Sequence, residues 1–382
     1  MKKVYFDNAA TTPLRKQVIN YMISSLKESL GNPSSIHSLG IKTRSILEYS
    51  RINIANLLNA DPSEIIFTSS GTEANNLILR SCINDLNIKY IITSKIEHKS
   101  ILETLNDLYI KYGVVIDFVK LNNNGIIDLN DLEKKLKKNN NSPILVSLMY
   151  VNNEIGNILD IYSVCNICKK YKAYFHSDTI QAIGHYYLDM KKLNIDFACG
   201  SAHKFNGPMG IGFAFIRKGL NIKAIITGGF QEREVRAGTE NIYGILGMSK
   251  AIEIANINLK KEKKDIENIK KYCIKQLKKS IPGIRFNGLS YSIIKSIYTI
   301  LNIAIPKKDN MISFNLDLKG VIVSQGSACN SYKVSHVIKI LFNNKKINKF
   351  SFIRISFGFL NKKKEIDILI SCLKDIYNLS KI

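Results

Sequence analysis

The segment DFACGSAHKFNGPMGIG, residues 196–212, joins two strand-like stretches through a turn that carries a lysine. The flanking stretches, DFACGS and IGFAFI, are short and apolar, which is typical of buried strands. Between them Lys204 is followed by Gly207 and Pro208, which favour a turn. A surface lysine needs no such setting, so the pattern predicts Lys204 at the end of a buried strand.

Similar strand-like stretches recur along the chain and alternate with helix-like stretches. This alternation favours an α/β fold, because helices that connect parallel strands cover the faces of a mostly parallel sheet. A long helix is predicted over about 241–280, and a second alternating region follows it. The predicted strands are 64–69, 89–94, 144–150, 173–178, 196–201, 211–216, 296–305, 321–324 and 352–358. The other predicted helices are 71–83, 98–112, 161–171, 335–342 and 362–379.

The order of these elements predicts two domains and an N-terminal segment. The large domain is expected at 14–250 and a smaller α/β domain at 251–382, and residues 1–13 are expected to pack with the small domain. A chain of 382 residues with 45% hydrophobic residues is long enough to form two cores of this kind. Its length is therefore typical of a globular enzyme.

The composition argues against several other classes of protein. A formal charge of +24 favours nucleic-acid binding when the lysines cluster, but here they are dispersed, so solvated helix faces are the better interpretation. Seven scattered cysteines, no leader-like N-terminus and no apolar stretch of membrane length predict a protein of the reducing cytoplasm. Cys165 and Cys168 form a lone CxxC, interpreted as two positions on an amphipathic helix and not as a metal site.

Polar residues follow the predicted strands at the ends where ligands gather in α/β sheets. Gly71 and Thr72 begin a helix and are suited to a phosphate, although a plain helix cap explains them nearly as well. His98 follows the next strand, and a histidine taken alone is more often structural than catalytic. The next two strands are followed by Asn152, Asn153, Asp178 and Gln181.

These residues together indicate one cofactor. Lys204 can form a Schiff base with an aldehyde if its neighbours keep it partly neutral. Pyridoxal phosphate requires such a lysine, an acidic partner for its ring nitrogen and a cradle for its phosphate. Asp178 is the candidate acid. The candidate cradle consists of Gly71, Thr72, Ser201 and His203.

Ten stretches along the chain match the motifs of a known family. They are YFDNAATTP (5–13), GNPSSIHSLG (31–40), FTSSGTEANN (67–76), SKIEHKS (94–100), VNNEIG (151–156), HSDTIQAIG (176–184), GSAHKFNGPMGIG (200–212), EREVRAGTEN (232–241), SQGSACNS (324–331) and IRISFG (353–358). Through these motifs nearly the whole chain resembles the cysteine desulfurases, the NifS/IscS-like members of the class-V aminotransferase family. The resemblance implies the fold of the pyridoxal-phosphate aminotransferases, fold type I, with a mostly parallel sheet in the large domain. It also implies pyridoxal 5'-phosphate as cofactor and L-cysteine as substrate.

The resemblance implies a task for each residue around the cofactor. Lys204 holds the cofactor, and Asp178 keeps its ring nitrogen protonated. His98 stacks on the ring and assists proton transfer. Thr239 reaches the phosphate of the neighbouring subunit, which implies a homodimer.

The resemblance also implies how the substrate is bound and its sulfur removed. Gln181 and Asn153 contact the ring oxygen and the substrate, and Arg354 binds the substrate carboxylate. Cys329, in a loop of small and polar residues, takes the sulfur as a persulfide. The sulfur then passes to an iron–sulfur scaffold or another acceptor protein, for cluster assembly or for tRNA thiolation.

Two stretches depart from the family pattern. In GGFQERE, Phe230 and Glu234 stand where relatives usually carry glycine, and they are expected to strain the loop if their φ is positive. The segment from Cys329 to His336 is a few residues shorter than in long-loop relatives, which predicts a shorter reach towards a scaffold.

The alternative functions are those of a selenocysteine lyase or another fold-type-I aminotransferase and, from a different class, an inactive basic scaffold or nucleic-acid-binding protein.

Overall fold

A computed structural model describes residues 3–28, 30–139, 142–325, 334–342 and 347–378. The strands in this part of the chain are β1 Val4–Tyr5, β2 Ile65–Thr68, β3 Tyr90–Thr93, β4 Val115–Phe118, β5 Ile144–Ser147, β6 Tyr174–Asp178, β7 Phe197–Ser201, β8 Gly212–Ile216, β9 Arg285–Phe286, β10 Ile300–Ile305, β11 Val321–Ile322 and β12 Ser351–Ser356. The helices are α1 Lys16–Leu26, α2 Ser38–Leu57, α3 Gly71–Asn84, α4 Lys99–Tyr112, α5 Leu129–Lys138, α6 Ile161–Lys170, α7 Ile242–Ser280, α8 Ile312–Leu318, α9 His336–Leu341 and α10 Lys363–Asn378.

The main sheet has seven strands in the order β2-β8-β7-β6-β5-β3-β4. All neighbours pair in parallel except β8, which is antiparallel to both β2 and β7. The predicted α/β fold with a mostly parallel sheet is confirmed. Because β2, β3, β5, β6 and β7 all run in the same direction, their carboxyl ends share one edge of the sheet, where a ligand site is expected.

Successive residues of the central strands pack on opposite faces of the sheet. Ile91 and Leu145 belong to one apolar cluster, whereas Ile92 and Val146 belong to another. Both faces are covered by helices, so these strands have continuous apolar sequences instead of alternating polar and apolar residues. Cys165 and Cys168 lie on α6, and their side chains pack in the cluster on one face.

A second group of strands lies beyond the long helix α7. Strands β9, β10 and β12 form an antiparallel sheet in the order β12-β10-β9, and β1 pairs in parallel with β11. The N-terminal segment also contacts this region through a bridge between Asp7 and Ser356. Helix α7 has 39 residues, a length of about 58 Å, and runs through position 250 without a break. The domain boundary near 250 stays a prediction, and it falls inside this helix.

In the ranges that the structure describes, no helix combines the length and the apolar composition needed to cross a membrane.

Candidate active site

A cavity of about 270 Å³ opens at the carboxyl edge of the main sheet. Of the twelve residues predicted for the site, it brings ten together. Thr239 is exposed and does not line this cavity, and Cys329 lies outside the described residues. The ten lining residues are Gly71, Thr72, His98, Asn153, Asp178, Gln181, Ser201, His203, Lys204 and Arg354.

The first turn of α3 forms one wall of the cavity and is shaped for an anion. Ser70 caps the helix by accepting a hydrogen bond from the Glu73 N–H at 3.2 Å. A Cβ at Gly71 would lie 2.1 Å from Ile180 Cδ1, so a side chain at this position requires Ile180 to move. Gly71 and Thr72, the first two residues of the helix, line the cavity, and the first N–H groups of a helix and the positive end of its dipole favour an anion at this end. These features fit a phosphate group.

Lys204 lies in the turn that follows β7, and its amine enters the cavity. The Nζ donates hydrogen bonds to the carbonyl oxygens of Ala9 and Ala10, both at 2.8 Å. The Ala9 carbonyl also accepts a hydrogen bond from Gln181 Nε2 at 3.0 Å. The N-terminal segment is held on the lysine turn by Thr12, whose hydroxyl donates to the His203 carbonyl at 2.8 Å. Sequence reasoning missed Ala9 and Ala10, because a backbone carbonyl carries no residue-specific signal.

Asp178 ends β6 and is almost fully buried. One carboxylate oxygen accepts a hydrogen bond from the Ile180 N–H at 3.0 Å, and the other accepts one from Asn75 Nδ2 at 3.0 Å. Asn75 also donates to Ser100 Oγ at 2.9 Å and accepts a bond from Cys199 Sγ at 3.1 Å. These donors give each carboxylate oxygen of Asp178 a hydrogen-bond partner. Asn75 was missed in the sequence, although it lies in the quoted GTEANN stretch.

His98 caps α4 with its imidazole. Its Nδ1 accepts a hydrogen bond from the Ser100 N–H at 3.1 Å, so the neutral ring carries its proton on Nε2. Burial lowers the pKa of His98, and the positive charge of Lys204 lowers it further, against an opposing effect of Asp178. A neutral imidazole at the cavity wall suits both stacking on a ring and exchange of a proton.

Ser201 and His203 flank the lysine turn on the phosphate side of the cavity. Ser201 ends β7 and is buried, and a Cβ at Gly71 would lie 3.7 Å from its Cβ. Burial, followed by the charge of Lys204, lowers the pKa of His203 to about 4. A neutral His203 can donate a hydrogen bond to an anion from one ring nitrogen.

Arg354 is buried on β12 and reaches the cavity from the second group of strands. Its guanidinium donates to the Asn153 carbonyl at 2.8 Å and pairs with Asp7 at 3.0 Å. Its Nε is buried and has no hydrogen-bond partner among the described residues. The planar fork of arginine suits a carboxylate. Asn152, in contrast, uses its side-chain oxygen to accept the N–H groups of the following turn.

The loop that departs from the family pattern is strained at one of the two expected positions. Phe230 has φ −87°, which any residue adopts, so the condition for strain is not met there. Glu234 has φ +65°, and Glu232 and Arg233 also have positive φ. Three successive non-glycine residues in the left-handed region cost about 1–2 kcal/mol each, so other contacts must hold the loop in place.

A larger, open cavity of about 840 Å³ lies on the outer side of α4 and β4. Lys99 lines it, whereas the preceding residue, His98, lines the smaller cavity. Since none of the residues predicted for the site lines the larger cavity, the smaller one is the candidate active site.

Comparisons with known proteins agree with this geometry. The model of the aminotransferase class-V family matches residues 4–369. Cysteine desulfurase IscS of Dictyoglomus turgidum is 40% identical over 379 residues, which cover 98% of this chain and 94% of that protein. A solved structure of a NifS-like protein superposes with a TM-score of 0.90 at 34% identity, covering 99% of this chain and 100% of the other. The structure of SspA in complex with cysteine has a TM-score of 0.80 at 28% identity, with 93% of this chain and 99% of the other covered.

Proposed function

Because the chain belongs to the class-V aminotransferase family and is a pyridoxal-phosphate-dependent cysteine desulfurase, we propose a task for each residue of its cavity. The reaction converts L-cysteine to L-alanine and mobilises the sulfur. The observation that carries the proposal is the convergence of Lys204, Asp178, His98 and Arg354 on one cavity of about 270 Å³.

The cavity fits the cofactor at its phosphate and at its ring nitrogen. When bound, pyridoxal phosphate supplies an aldehyde that links to amines and a cationic ring that withdraws electrons from the attached carbon. The first turn of α3, from Gly71, holds the phosphate together with Ser201 and His203. Asp178, oriented by Asn75 and the Ile180 N–H, would pair with the protonated ring nitrogen.

The remaining residues orient the cofactor and the substrate. His98, neutral because burial lowers its pKa, would face the ring and carries a proton on Nε2. Gln181, fixed by its bond to the Ala9 carbonyl, contacts the ring oxygen. Arg354 and Asn153 bind the substrate carboxylate. Lys204 holds the cofactor and then moves the proton at the substrate Cα.

Cys329 accepts the sulfur in this proposal. Its thiolate attacks the γ-sulfur of the substrate, so that an S–S bond forms while the Cβ–S bond breaks. The substrate thiol proton ends on Cβ, and the products are alanine and a persulfide anion on Cys329. Atoms and electrons balance without an external oxidant or reductant.

We also propose a homodimer, an acceptor protein and the cytoplasm as the setting. Thr239 is exposed on a loop outside its own cavity, which supports a contact with the phosphate of a second copy. The persulfide requires an acceptor, for which an iron–sulfur scaffold is the first candidate and a protein of tRNA thiolation the second. The six cysteines within the described residues carry free, buried thiols, which supports a reducing compartment.

The test compares Cys329→Ser with a matched control, Cys372→Ser, whose thiol lies on α10. With purified protein, L-cysteine and a dithiol, the control should release alanine and sulfide at the rate of the unaltered enzyme. Cys329→Ser should keep the absorbance of bound cofactor and lose sulfur transfer. In the unaltered enzyme incubated with L-cysteine and no dithiol, mass spectrometry should find the added sulfur, about 32 Da, at Cys329 alone. Normal sulfide release by Cys329→Ser would assign the acceptor role to another thiol.

The alternative functions are not favoured. A selenocysteine lyase or another aminotransferase would use the same cofactor cavity, but the desulfurase relatives match over nearly the whole chain. An inactive scaffold or nucleic-acid-binding protein has no need for a buried acid network around Asp178.

A further inference from the structure

The loop 226–240, which we call the Thr239 loop, forms three ion pairs with the rest of its own subunit. One joins the exposed Arg233 to Glu48 of α2, and the other two connect the loop to the surroundings of the phosphate turn. The first of these two joins Glu232 to Arg51 of α2, with both carboxylate oxygens accepting guanidinium N–H groups at 2.8 Å. Both side chains are almost fully buried. The same carboxylate accepts the Phe67 N–H of β2 at 2.7 Å. A buried, bidentate ion pair with a third donor is strongly directional, so it determines where the loop lies.

The second ion pair joins Arg236 Nε to Glu73 at 2.8 Å. Glu73 lies in the first turn of α3, next to Thr72, and its other oxygen accepts the Ser69 N–H at 2.8 Å. The hydrogen bond from the Phe67 N–H to Glu232 therefore attaches the Thr239 loop to β2, the strand that precedes the phosphate turn. The Arg236–Glu73 ion pair attaches the loop to α3, the helix that follows the turn, and the Glu232–Arg51 ion pair attaches it to α2.

The backbone shows that the loop depends on these attachments. Glu232, Arg233 and Glu234 all have φ between +46° and +65°. Such residues persist only where surrounding contacts hold them, because each would otherwise relax to an ordinary conformation. Thr239 comes five residues after the last of them, so loss of the attachments would displace it.

We propose that Arg51, Glu232, Arg236 and Glu73 are positioning residues for cofactor binding in the neighbouring subunit. They hold Thr239 where it can complete the phosphate site of a second copy, and they join that loop to the phosphate turn of their own subunit. This inference rests on the proposed homodimer with Thr239 at the shared phosphate site. Its consequence is that the cofactor affinity of one site depends on ion pairs in the other subunit.

Heterodimers with differently tagged subunits test this dependence. One subunit carries Lys204→Ala, so the absorbance of lysine-bound cofactor reports only the site of its partner. The subunit with Lys204→Ala is called silenced, and its partner is called reporting. Arg236→Gln in the silenced subunit acts on the reporting site in trans, and Arg236→Gln in the reporting subunit acts on it in cis. Arg236 is chosen because its side chain is partly exposed, so its loss is less disruptive than that of the buried Glu232.

In trans, Arg236→Gln should raise the dissociation constant of pyridoxal phosphate by up to about ten- to a hundred-fold, the effect of losing one hydrogen bond to a charged group. In cis, the change should stay below about five-fold, as for a partly exposed ion pair. Thr239→Ala in the silenced subunit sets the upper limit, and adding Arg236→Gln to it should have no further effect. Arg236→Lys, which can still pair with Glu73, should restore most of the affinity.

The matched control is Arg233→Gln. Arg233 is on the same loop but contacts Pro62 and Glu48, away from the phosphate turn, so it should leave the affinity unchanged in trans. Equal effects of Arg236→Gln in cis and in trans, or an effect that adds to Thr239→Ala, would overturn the inference and leave the homodimer standing. A Thr239→Ala subunit that does not change its partner's affinity would instead overturn the shared phosphate site itself.

Discussion

Removal of the Arg354 guanidinium should abolish recognition of the substrate carboxylate. In Arg354→Ala the substrate loses a charge-assisted hydrogen bond, which typically contributes about 1.5–3 kcal/mol to the free energy of binding. This corresponds to roughly a ten- to hundred-fold loss in kcat/KM for L-cysteine. Arg354 also pairs with Asp7 and with the Asn153 carbonyl, so the variant loses stability as well. The assay must separate these two effects.

Cysteamine separates them, because it has the amine and the thiol of cysteine but no carboxylate. The ratio of kcat/KM for cysteine to that for cysteamine should fall by about ten- to a hundred-fold in Arg354→Ala. Arg354→Lys should give an intermediate ratio, since an ammonium keeps the charge but lacks the planar fork. Asp7→Asn removes the ion-pair partner and keeps the guanidinium, so the ratio should stay well above that of Arg354→Ala.

The matched control for this prediction is Arg217→Ala. Arg217 donates to the carbonyls of Met190, Leu193 and Ile195 and does not line the cavity. Its loss should lower stability and leave the cysteine-to-cysteamine ratio unchanged. If Arg354→Ala lowered kcat/KM for both substrates by the same factor, Arg354 would act through structure and the carboxylate contact would be refuted.

Two further predictions concern the buried polar groups beneath the site. Asn75→Ala removes the bonds to Asp178 and Ser100 and should lower the free energy of unfolding by about 2–4 kcal/mol, whereas Asn76→Ala, which loses one exposed and one partly buried hydrogen bond, should lower it by less than about 1 kcal/mol. Equal losses in urea titrations would contradict the network. Burial lowers the pKa of His176 to about 4, so between pH 6.5 and pH 4 the unfolded chain binds a proton there that the folded chain does not. The contribution of the neutral His176 to the free energy of unfolding is thus complete above pH 6.5 and decreases as the pH falls. When the pH is lowered from 6.5 to 5, the free energy of unfolding of His176→Gln should decrease by up to about 2 kcal/mol less than that of the unaltered protein.

Features that depend on neighbouring residues could be predicted from the sequence. The strands around Ile91, Leu145 and Phe197 have continuous apolar sequences because both faces of the sheet are covered, and the alternation with helices predicts parallel pairing. Parallel strands bring their carboxyl ends to one edge, so the order of strands and polar residues along the chain is enough to gather those polar residues into one site. Lys204 and Asp178 belong to this predictable set.

Features that depend on contacts between distant segments were decided only by the tertiary structure. The Arg354–Asp7 pair joins residues 347 positions apart, and the Arg51–Glu232 pair joins residues 181 positions apart. Neither pairing leaves a local pattern, because an ion pair depends on where two side chains meet in space. The carbonyls that accept hydrogen bonds from the Lys204 amine belong to Ala9 and Ala10. Because the backbone of alanine is chemically like that of most other residues, the sequence does not mark these two positions. The left-handed φ of Glu234 likewise follows from the ion pairs that hold its loop, since an isolated glutamate has no preference for that conformation.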